Sequence, residues 1–189
     1  FTRQYRHLLE LIFNDIKVKV GTYTKSGERS ITCRKGCGTC CYQFISVDLS
    51  HALLIADYLY INDKAMQVFL TGYDHWLSYF ENNPKAASVF KNLEEYTTEA
   101  AVVRHYSQEL CTDYHKLDIP CPFLCKGQCS IYAVRPVVCA TYFSLSPVEH
   151  CQADSDFPPL ILQITPSERY LRRMAELANH RWHLHQESL

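Results

Sequence analysis

The residues best suited to chemistry are ten cysteines, four of which occur in the nine residues Cys33–Cys41. This segment reads Cys-Arg-Lys-Gly-Cys-Gly-Thr-Cys-Cys. Soft thiolates bind zinc, copper(I) or iron–sulfur clusters in preference to calcium or magnesium. The two-residue gap between Cys37 and Cys40 is common to zinc knuckles and iron–sulfur loops. The block therefore predicts a metal site held by thiolates.

A second cysteine block lies far downstream, in residues 111–151. Four prolines and six cysteines occur there with little hydrophobic periodicity, so this stretch has poor means of folding unless something cross-links it. We expect the fold to bring the two blocks together around metal. The candidate ligands of this block are Cys121, Cys129 and Cys139, with Cys125, Cys151 and His150 as further candidates.

The adjacent pair Cys40 and Cys41 constrains how metal is held. Neighbouring side chains of an extended chain point to opposite sides, so one tetrahedral ion takes both only if the chain turns sharply. Three arrangements follow from this: two metals, one multinuclear cluster, or one ligand with a neighbouring thiol that does not bind.

Basic residues flank both blocks. Arg34 and Lys35 lie beside the first ligands, where positive charge lowers thiol pKa values and offsets the negative charge of several thiolates. Arg135 precedes Cys139 by four residues, and its guanidinium can donate hydrogen bonds to thiolates or to cluster sulfide. The alternative for Arg135 is an ordinary surface ion pair, and both interpretations remain open.

Disulfide bonds are the main alternative to metal, because the number of cysteines is even. Ten in 189 residues is below the ~8–10% density of small secreted disulfide scaffolds. A chain of this length can also stabilise itself without disulfides, which favours a reducing compartment and predicts a cytoplasmic protein. The net charge of −1 offers no field to attract nucleic acid. No apolar run approaches the ~20 residues that span a bilayer.

Hydrophobic residues recur at helical spacing through most of the remaining sequence. The pattern predicts helices over residues 4–18, about 50–60, 63–80 and 85–109, with a last one starting near residue 166. The predicted fold class is mainly α, a single-domain helical scaffold around two irregular cysteine-rich metal-binding loops. One domain over residues 1–189 fits the length.

Particular residues mark the ends of these helices. Gly21 ends the first pattern, and Asp48 or Ser50 can cap the second helix. Pro84 suits the first turn of the fourth helix. Thr165-Pro166-Ser167-Glu168 reads as a helix start with Thr165 as the cap, preceded by a strand-like arm at Leu160–Ile164.

Taken together, the two blocks resemble the YkgJ-type cysteine-cluster family. The matching pattern is Cys33-x3-Cys37-x2-Cys40-Cys41, then Cys121-Pro-Phe-Leu, then Gly127-x-Cys129-Ser-Ile-Tyr-x2-Arg135-Pro-x2-Cys139. It covers about residues 33–60 and 120–151. This family is described as zinc- or iron-chelating domains and sometimes as iron–sulfur cluster oxidoreductases, and the flagellin lysine methylase is similar. The resemblance implies eight metal ligands: Cys33, Cys37, Cys40, Cys41, Cys121, Cys129, Cys139 and Cys151.

This chain departs from the family pattern at one position. The family usually has an arginine directly after the cysteine that follows Arg-Pro, whereas Ala140 stands there in this chain. Any contact that such an arginine makes with a cluster is therefore missing.

Three functions compete. The first is an iron–sulfur protein with a redox or cluster-based enzymatic role, either as an oxidoreductase or as an accessory to a modifying enzyme, with Arg135 contacting the cofactor. The second is a zinc-stapled binding or scaffold domain with closed four-thiolate sites. The third is a disulfide-bonded secreted module. The sequence contains no phosphate-binding glycine loop, dinucleotide fingerprint or Ser-His-Asp signature, so it assigns no catalytic residue, and it does not identify a redox or protein partner.

Overall fold

The computed structural model describes residues 1–97 and 111–186. Helices dominate this part of the chain, which confirms the mainly α class. The predicted helix over residues 85–109 is confirmed as far as Thr97, and its remainder lies outside the described residues. The helices are α1 (Thr2–Ser26), α2 (Leu49–Tyr60), α3 (Asp63–Asn82), α4 (Pro84–Thr97), α5 (Val138–Thr141) and α6 (Glu168–Gln186).

Two short antiparallel strand pairs and single turns of 3-10 helix organise the cysteine-rich segments. Strand β1 (Leu124–Cys125) pairs with β2 (Gln128–Cys129), with Leu124 opposite Cys129. Strand β3 (Tyr142–Ser144) pairs with β4 (Ile161–Gln163), which lies inside the predicted arm. The 3-10 turns cover Thr39–Tyr42, Tyr132–Val134 and Val148–Cys151.

Helix α1 is longer than the sequence pattern predicts. The predicted end at Gly21 is wrong, because the helix continues to Ser26 and ends where Gly27 adopts a left-handed backbone with φ of 72°. A glycine inside a helix costs only about 1 kcal/mol relative to alanine, so a long helix tolerates Gly21. The left-handed conformation at Gly27 cannot continue the helix.

The starts of α2 and α4 agree with the sequence. Of the two candidate caps of α2, Asp48 is the one used, since its Oδ1 accepts a hydrogen bond of 2.9 Å from the His51 amide. Helix α4 begins at Pro84, as predicted. Helix α2 therefore begins at a defined point soon after the first cysteine block.

The start of α6 differs from the prediction. The helix begins at Glu168, so Thr165 is not its cap. The amide and hydroxyl groups of Ser167 donate to the carboxylate of Asp15 at 2.7 and 2.8 Å. This contact with α1 decides where α6 begins and ties the two helices together.

Helix α1 lies at the centre of the packing and contacts α2, α5 and α6. Full burial of an aliphatic side chain contributes about 1.5–3 kcal/mol. Two sets of buried α1 residues support the downstream cysteine segments. Tyr5 and Leu9 share a cluster with Leu54, Ile131 and Val134, while Leu8, Ile12 and Ile16 share one with Ala140 and Ile164.

A separate apolar cluster anchors the residues that precede Cys121. Tyr114, Leu117 and Ile119 are buried against α3 and α4. The Trp76 indole donates a hydrogen bond of 3.0 Å to the Tyr114 hydroxyl. The expectation that residues 111–151 depend on a cross-link alone is therefore too strong, because helix packing already holds their first part.

Ile12→Ala tests the central position of α1. Ile12 is fully buried, so the truncation is expected to lower the free energy of unfolding by about 2–5 kcal/mol. Val18→Ala on the same helix is the control, since Val18 is 61% exposed and is expected to change stability by less than about 0.5 kcal/mol. Chemical denaturation of both variants measures the difference, and equal losses would contradict this account.

Candidate metal centre

The two cysteine blocks lie against each other. The Cys121 amide donates a hydrogen bond of 2.7 Å to the carbonyl oxygen of Cys41. Gly36, whose φ is 83°, places its carbonyl so close to Gly127 that a Cβ on Gly127 would lie 3.2 Å from it. The first block therefore packs directly on the β1–β2 hairpin, as the sequence predicts.

Cys40 and Cys41 lie within the 3-10 turn Thr39–Tyr42, in which adjacent side chains point about 120° apart and not to opposite sides. Their side chains are hydrogen bonded to each other. The opposite orientation expected of an extended chain therefore does not apply to this pair, and the number of metals stays a prediction.

The hydrogen bond between Cys40 and Cys41 makes their thiols unequal. The hydrogen bond from Cys41, the Cys40 amide and the Arg135 charge together lower the pKa of Cys40 to about 7, against the opposing effect of burial. The same hydrogen bond raises the pKa of Cys41 strongly, and burial and the thiols of Cys121 and Cys129 add to this. Cys40 is thus the more acidic thiol of the pair.

Five thiols form what we call the central thiol group: Cys40, Cys41, Cys121, Cys129 and Cys139. Burial, followed by the thiols of Cys40, Cys121 and Cys129, raises the pKa of Cys139 to about 12, and the Arg135 charge opposes this. Like charges so close together disfavour ionisation. The group therefore presents soft donors whose joint ionisation requires added positive charge.

Backbone amides support the sulfur atoms of this group. Burial raises the pKa of Cys121, while a hydrogen bond from the Phe123 amide opposes the increase. Burial also raises the pKa of Cys129, against a hydrogen bond from the Ile131 amide. In both cases the donor lies two residues after the cysteine. Hydrogen bonds to sulfur of this kind stabilise thiolates that bind metal.

Three further cysteines form the outer thiol group: Cys33, Cys37 and Cys151. Burial raises the pKa of Cys33, and the thiols of Cys37, Cys40 and Cys151 add to the increase. The Ser144 amide donates to the Cys33 sulfur at 3.1 Å. The turn that ends in Cys151 packs on the turn that contains Cys40. Cys40 therefore lies between the two groups.

The remaining candidates occupy different surroundings. Cys125 is exposed on the hairpin opposite Gln128, and burial alone raises the pKa of Cys111. The ring of His150 stacks on Phe157, with centroids 5.7 Å apart. These contacts do not bring any of the three residues into the thiol groups.

Arg135 provides positive charge within the central thiol group. Its charge lowers the pKa values of Cys40, Cys129 and Cys139, and in each case it opposes the increase that burial causes. Within residues 1–97 and 111–186 it forms no ion pair with a carboxylate. Arg34 and Lys35 are exposed, and neither is a source of the shifts given above. The charge near the thiols thus comes from the downstream block.

The thiols are neighbours without forming a finished coordination shell. Among the described residues, no three His, Cys, Asp or Glu side chains are arranged as metal ligands. The donor chemistry nevertheless fits a thiophilic metal, because thiols, sulfur-directed amides and one guanidinium share a small region.

Gly72 positions the loop that carries Cys121, a role that the sequence analysis did not identify. A Cβ at this point of α3 would overlap the Pro122 carbonyl oxygen and lie 2.9 Å from its carbon. Only glycine allows the loop backbone to approach the helix so closely. The available signal was a glycine inside an otherwise regular helical pattern.

A family model described as "CxxCxxCC: Putative zinc- or iron-chelating domain" matches residues 32–157. This range contains all eight cysteines of the two thiol groups. Neither a curated protein nor a solved structure matches the chain. Within the residues that the structure describes, no helix has the length and apolar character needed to cross a membrane.

Gly72→Ala is expected to displace the loop at Pro122 and reduce the metal bound per chain. Overpacking costs about 1–3 kcal/mol, which outweighs the gain of about 1 kcal/mol in helix propensity. Gly21→Ala is the matched control, since nothing lies within 4 Å of its Cβ position. Metal analysis and chemical denaturation compare the two variants, and unchanged values for Gly72→Ala would show that the close contact is dispensable.

Metal affinity is expected to rise with pH. The raised pKa values keep Cys121, Cys129 and Cys139 protonated at neutral pH, so each must release a proton when it binds metal. Every proton released increases the apparent affinity about tenfold per pH unit. Competition with a chelator of known affinity from about pH 7 to about pH 9 measures this, and a flat profile would contradict it.

Proposed function

Because the chain belongs to the CxxCxxCC family, we propose that its thiolates hold an iron–sulfur cluster with a redox or cluster-based enzymatic role. The observation that carries this proposal is the central thiol group. Five thiols from three separate segments affect one another's pKa values, and a single arginine acts on three of them, Cys40, Cys129 and Cys139. Such a set of donors needs the positive charge that bound metal supplies.

The surroundings of the thiols favour a cluster over zinc. A structural zinc ion and an iron–sulfur cluster each take four thiolates, so the five thiols of the central thiol group do not separate the two. The amide donors at Phe123 and Ile131 favour the cluster, because hydrogen bonds to sulfur are a principal means by which proteins tune iron–sulfur clusters. A zinc-stapled scaffold is the alternative.

We propose separate roles for the two thiol groups. The central thiol group holds the cluster, for which Cys121, Cys129, Cys139 and one or both of Cys40 and Cys41 are the ligands. The outer thiol group, together with Cys40 when that thiol is not used by the cluster, holds a structural ion. Support for this division comes from Cys33, whose neighbouring thiols are Cys37, Cys40 and Cys151.

A bound cluster would supply one-electron transfer or an open iron for substrate. The chain's own residues then bind it, exclude water from part of it and supply hydrogen bonds and a counter-charge. The residues Cys40 and Cys139 reach the protein surface although their thiols are largely surrounded by protein, so one edge of the centre lies close to a partner or substrate. We propose that residues 1–189 act as one domain in the cytoplasm, with a redox or protein partner.

Anaerobic purification followed by metal analysis tests the choice of metal. We expect a brown protein that contains iron and absorbs near ~400 nm, the region typical of thiolate-bound iron. A colourless protein with stoichiometric zinc would overturn the cluster and leave the zinc scaffold. Metal-free protein without titratable thiols would instead support the disulfide-bonded module.

Cys129→Ser is expected to remove iron and the absorption near ~400 nm, because it deletes a thiol of the central group. Cys125→Ser is the matched control on the same hairpin, and we expect wild-type metal content from it. Metal analysis of the two purified variants measures the difference. Equal losses of metal in the two variants would show that metal binding depends on the structure of the hairpin and not on the Cys129 thiol.

Cys33→Ser tests the division between the groups. We expect this variant to retain the absorption of the cluster and to lose only the second ion. Loss of all metal in parallel would contradict the division and indicate one site that uses both groups.

A further inference from the structure

The side chain of Arg135 stacks on two aromatic rings. Its guanidinium carbon is 3.7 Å from the ring centroid of Tyr132 and 4.8 Å from that of Phe13. Its Nη1 group donates a hydrogen bond of 2.9 Å to the Tyr132 carbonyl oxygen. The rings and the carbonyl together hold the guanidinium in one place and orientation.

We propose that Phe13 and Tyr132 form an aromatic clamp that fixes Arg135 beside the central thiol group as a permanent counter-charge to the metal–thiolate centre. Phe13 and Tyr132 are thus positioning residues, which act on bound metal through Arg135. The inference rests on thiolate metal binding alone, and it holds whether the metal is iron or zinc.

The held guanidinium lies beside residues of the central thiol group. Phe13 and Cys129 pack against the same apolar cluster, and the Cys139 amide donates a hydrogen bond of 3.0 Å to the carbonyl oxygen of Pro136, the residue after Arg135. In agreement with this placement, the Arg135 charge lowers the pKa values of Cys40, Cys129 and Cys139. In the part of the chain that the structure describes, Arg135 has no carboxylate partner to neutralise it. Several thiolates around a divalent ion leave excess negative charge, so a fixed cation near them stabilises the loaded state.

The clamp gives a reason for the position of the Tyr132 ring, which is largely exposed to solvent. Tyr132 is 63% exposed, so its place over Arg135 is not accounted for by burial in the core. Arginine suits such a clamp better than lysine, because its planar and weakly hydrated guanidinium stacks on aromatic faces. The contact stabilises the guanidinium while leaving its charge available to the thiols.

Phe13 contributes to the metal centre from outside residues 32–157, the range that the family model matches. It belongs to α1, whereas the family model matches only residues 32–157. Phe13 is partly buried and packs on the same apolar clusters as the rest of α1. The N-terminal helix therefore contributes one wall of the clamp in addition to its part in the core.

The rate at which the loaded protein releases metal to excess chelator tests the clamp, because it requires no known activity. We expect Arg135→Gln to release metal about tenfold faster than wild type, the usual effect of losing a residue that supports metal ligands. Arg135→Lys keeps the charge and loses the stacking, so its rate is expected to fall between the two. Tyr60→Leu is the control, since Tyr60 is an 81% exposed aromatic residue at the end of α2.

A double-variant comparison separates the clamp from a general structural effect. Tyr132→Leu is expected to speed metal release severalfold in wild type and to have no further effect in Arg135→Gln, because the ring acts only through the guanidinium. Phe13→Leu is expected to behave in the same way. Wild-type release by Arg135→Gln, or full additivity of Tyr132→Leu with Arg135→Gln, would overturn the proposal. Zinc in the wild-type protein would instead overturn the iron–sulfur proposal and leave these rates as the test of the clamp.

Discussion

Thiols as crowded as those of the central thiol group cannot ionise together unless positive charge accompanies them, and much of the local structure answers this constraint. The Phe123 and Ile131 amides donate to sulfur, and the hydrogen bond from Cys41 lowers the pKa of Cys40. Arg135 adds the one full positive charge that acts on several of these thiols in the described part of the chain. These hydrogen bonds and this charge offset only part of the repulsion between thiolates, so a bound metal cation is needed for the thiols to ionise together. Metal binding and thiol ionisation are then a single coupled event.

Helix α1 serves the core and the metal centre at once. Ile12 is fully buried against the segment that follows the Arg-Pro pair, while Phe13, the next residue, faces the guanidinium of Arg135. Adjacent residues of a helix point about 100° apart, which lets one helix present two different surfaces. The cysteine-rich segments are consequently held by ordinary apolar packing as well as by any metal they bind.

Local signals in the sequence were sufficient for most helices. Asp48 caps α2 and Pro84 begins α4, because caps and proline act on residues only a few positions away. The predicted end of α1 at Gly21 is wrong because glycine disfavours a helix only weakly. The predicted cap of α6 at Thr165 is wrong because of a tertiary contact. A long, well-packed helix tolerates a glycine, and the Asp15 carboxylate captures Ser167 and moves the start of α6. The role of Gly72 was likewise invisible, since it depends on the approach of Pro122 from a distant segment.

The sequence by itself determined the donor chemistry: cysteines in two dense blocks, with a family pattern that spans both. It also determined the mainly α class, because helical periodicity is a property of neighbouring residues. Tertiary structure decided which thiols affect one another's pKa, that Cys40 and Cys41 lie in a 3-10 turn, and that Arg135 stacks on Tyr132 and Phe13 without a carboxylate partner among the described residues. These features depend on residues that are far apart in the sequence, such as Cys33 and Cys151 or Phe13 and Arg135. The type of a side chain determines which metals its atoms can bind. Only packing in three dimensions determines which side chains can bind the same metal.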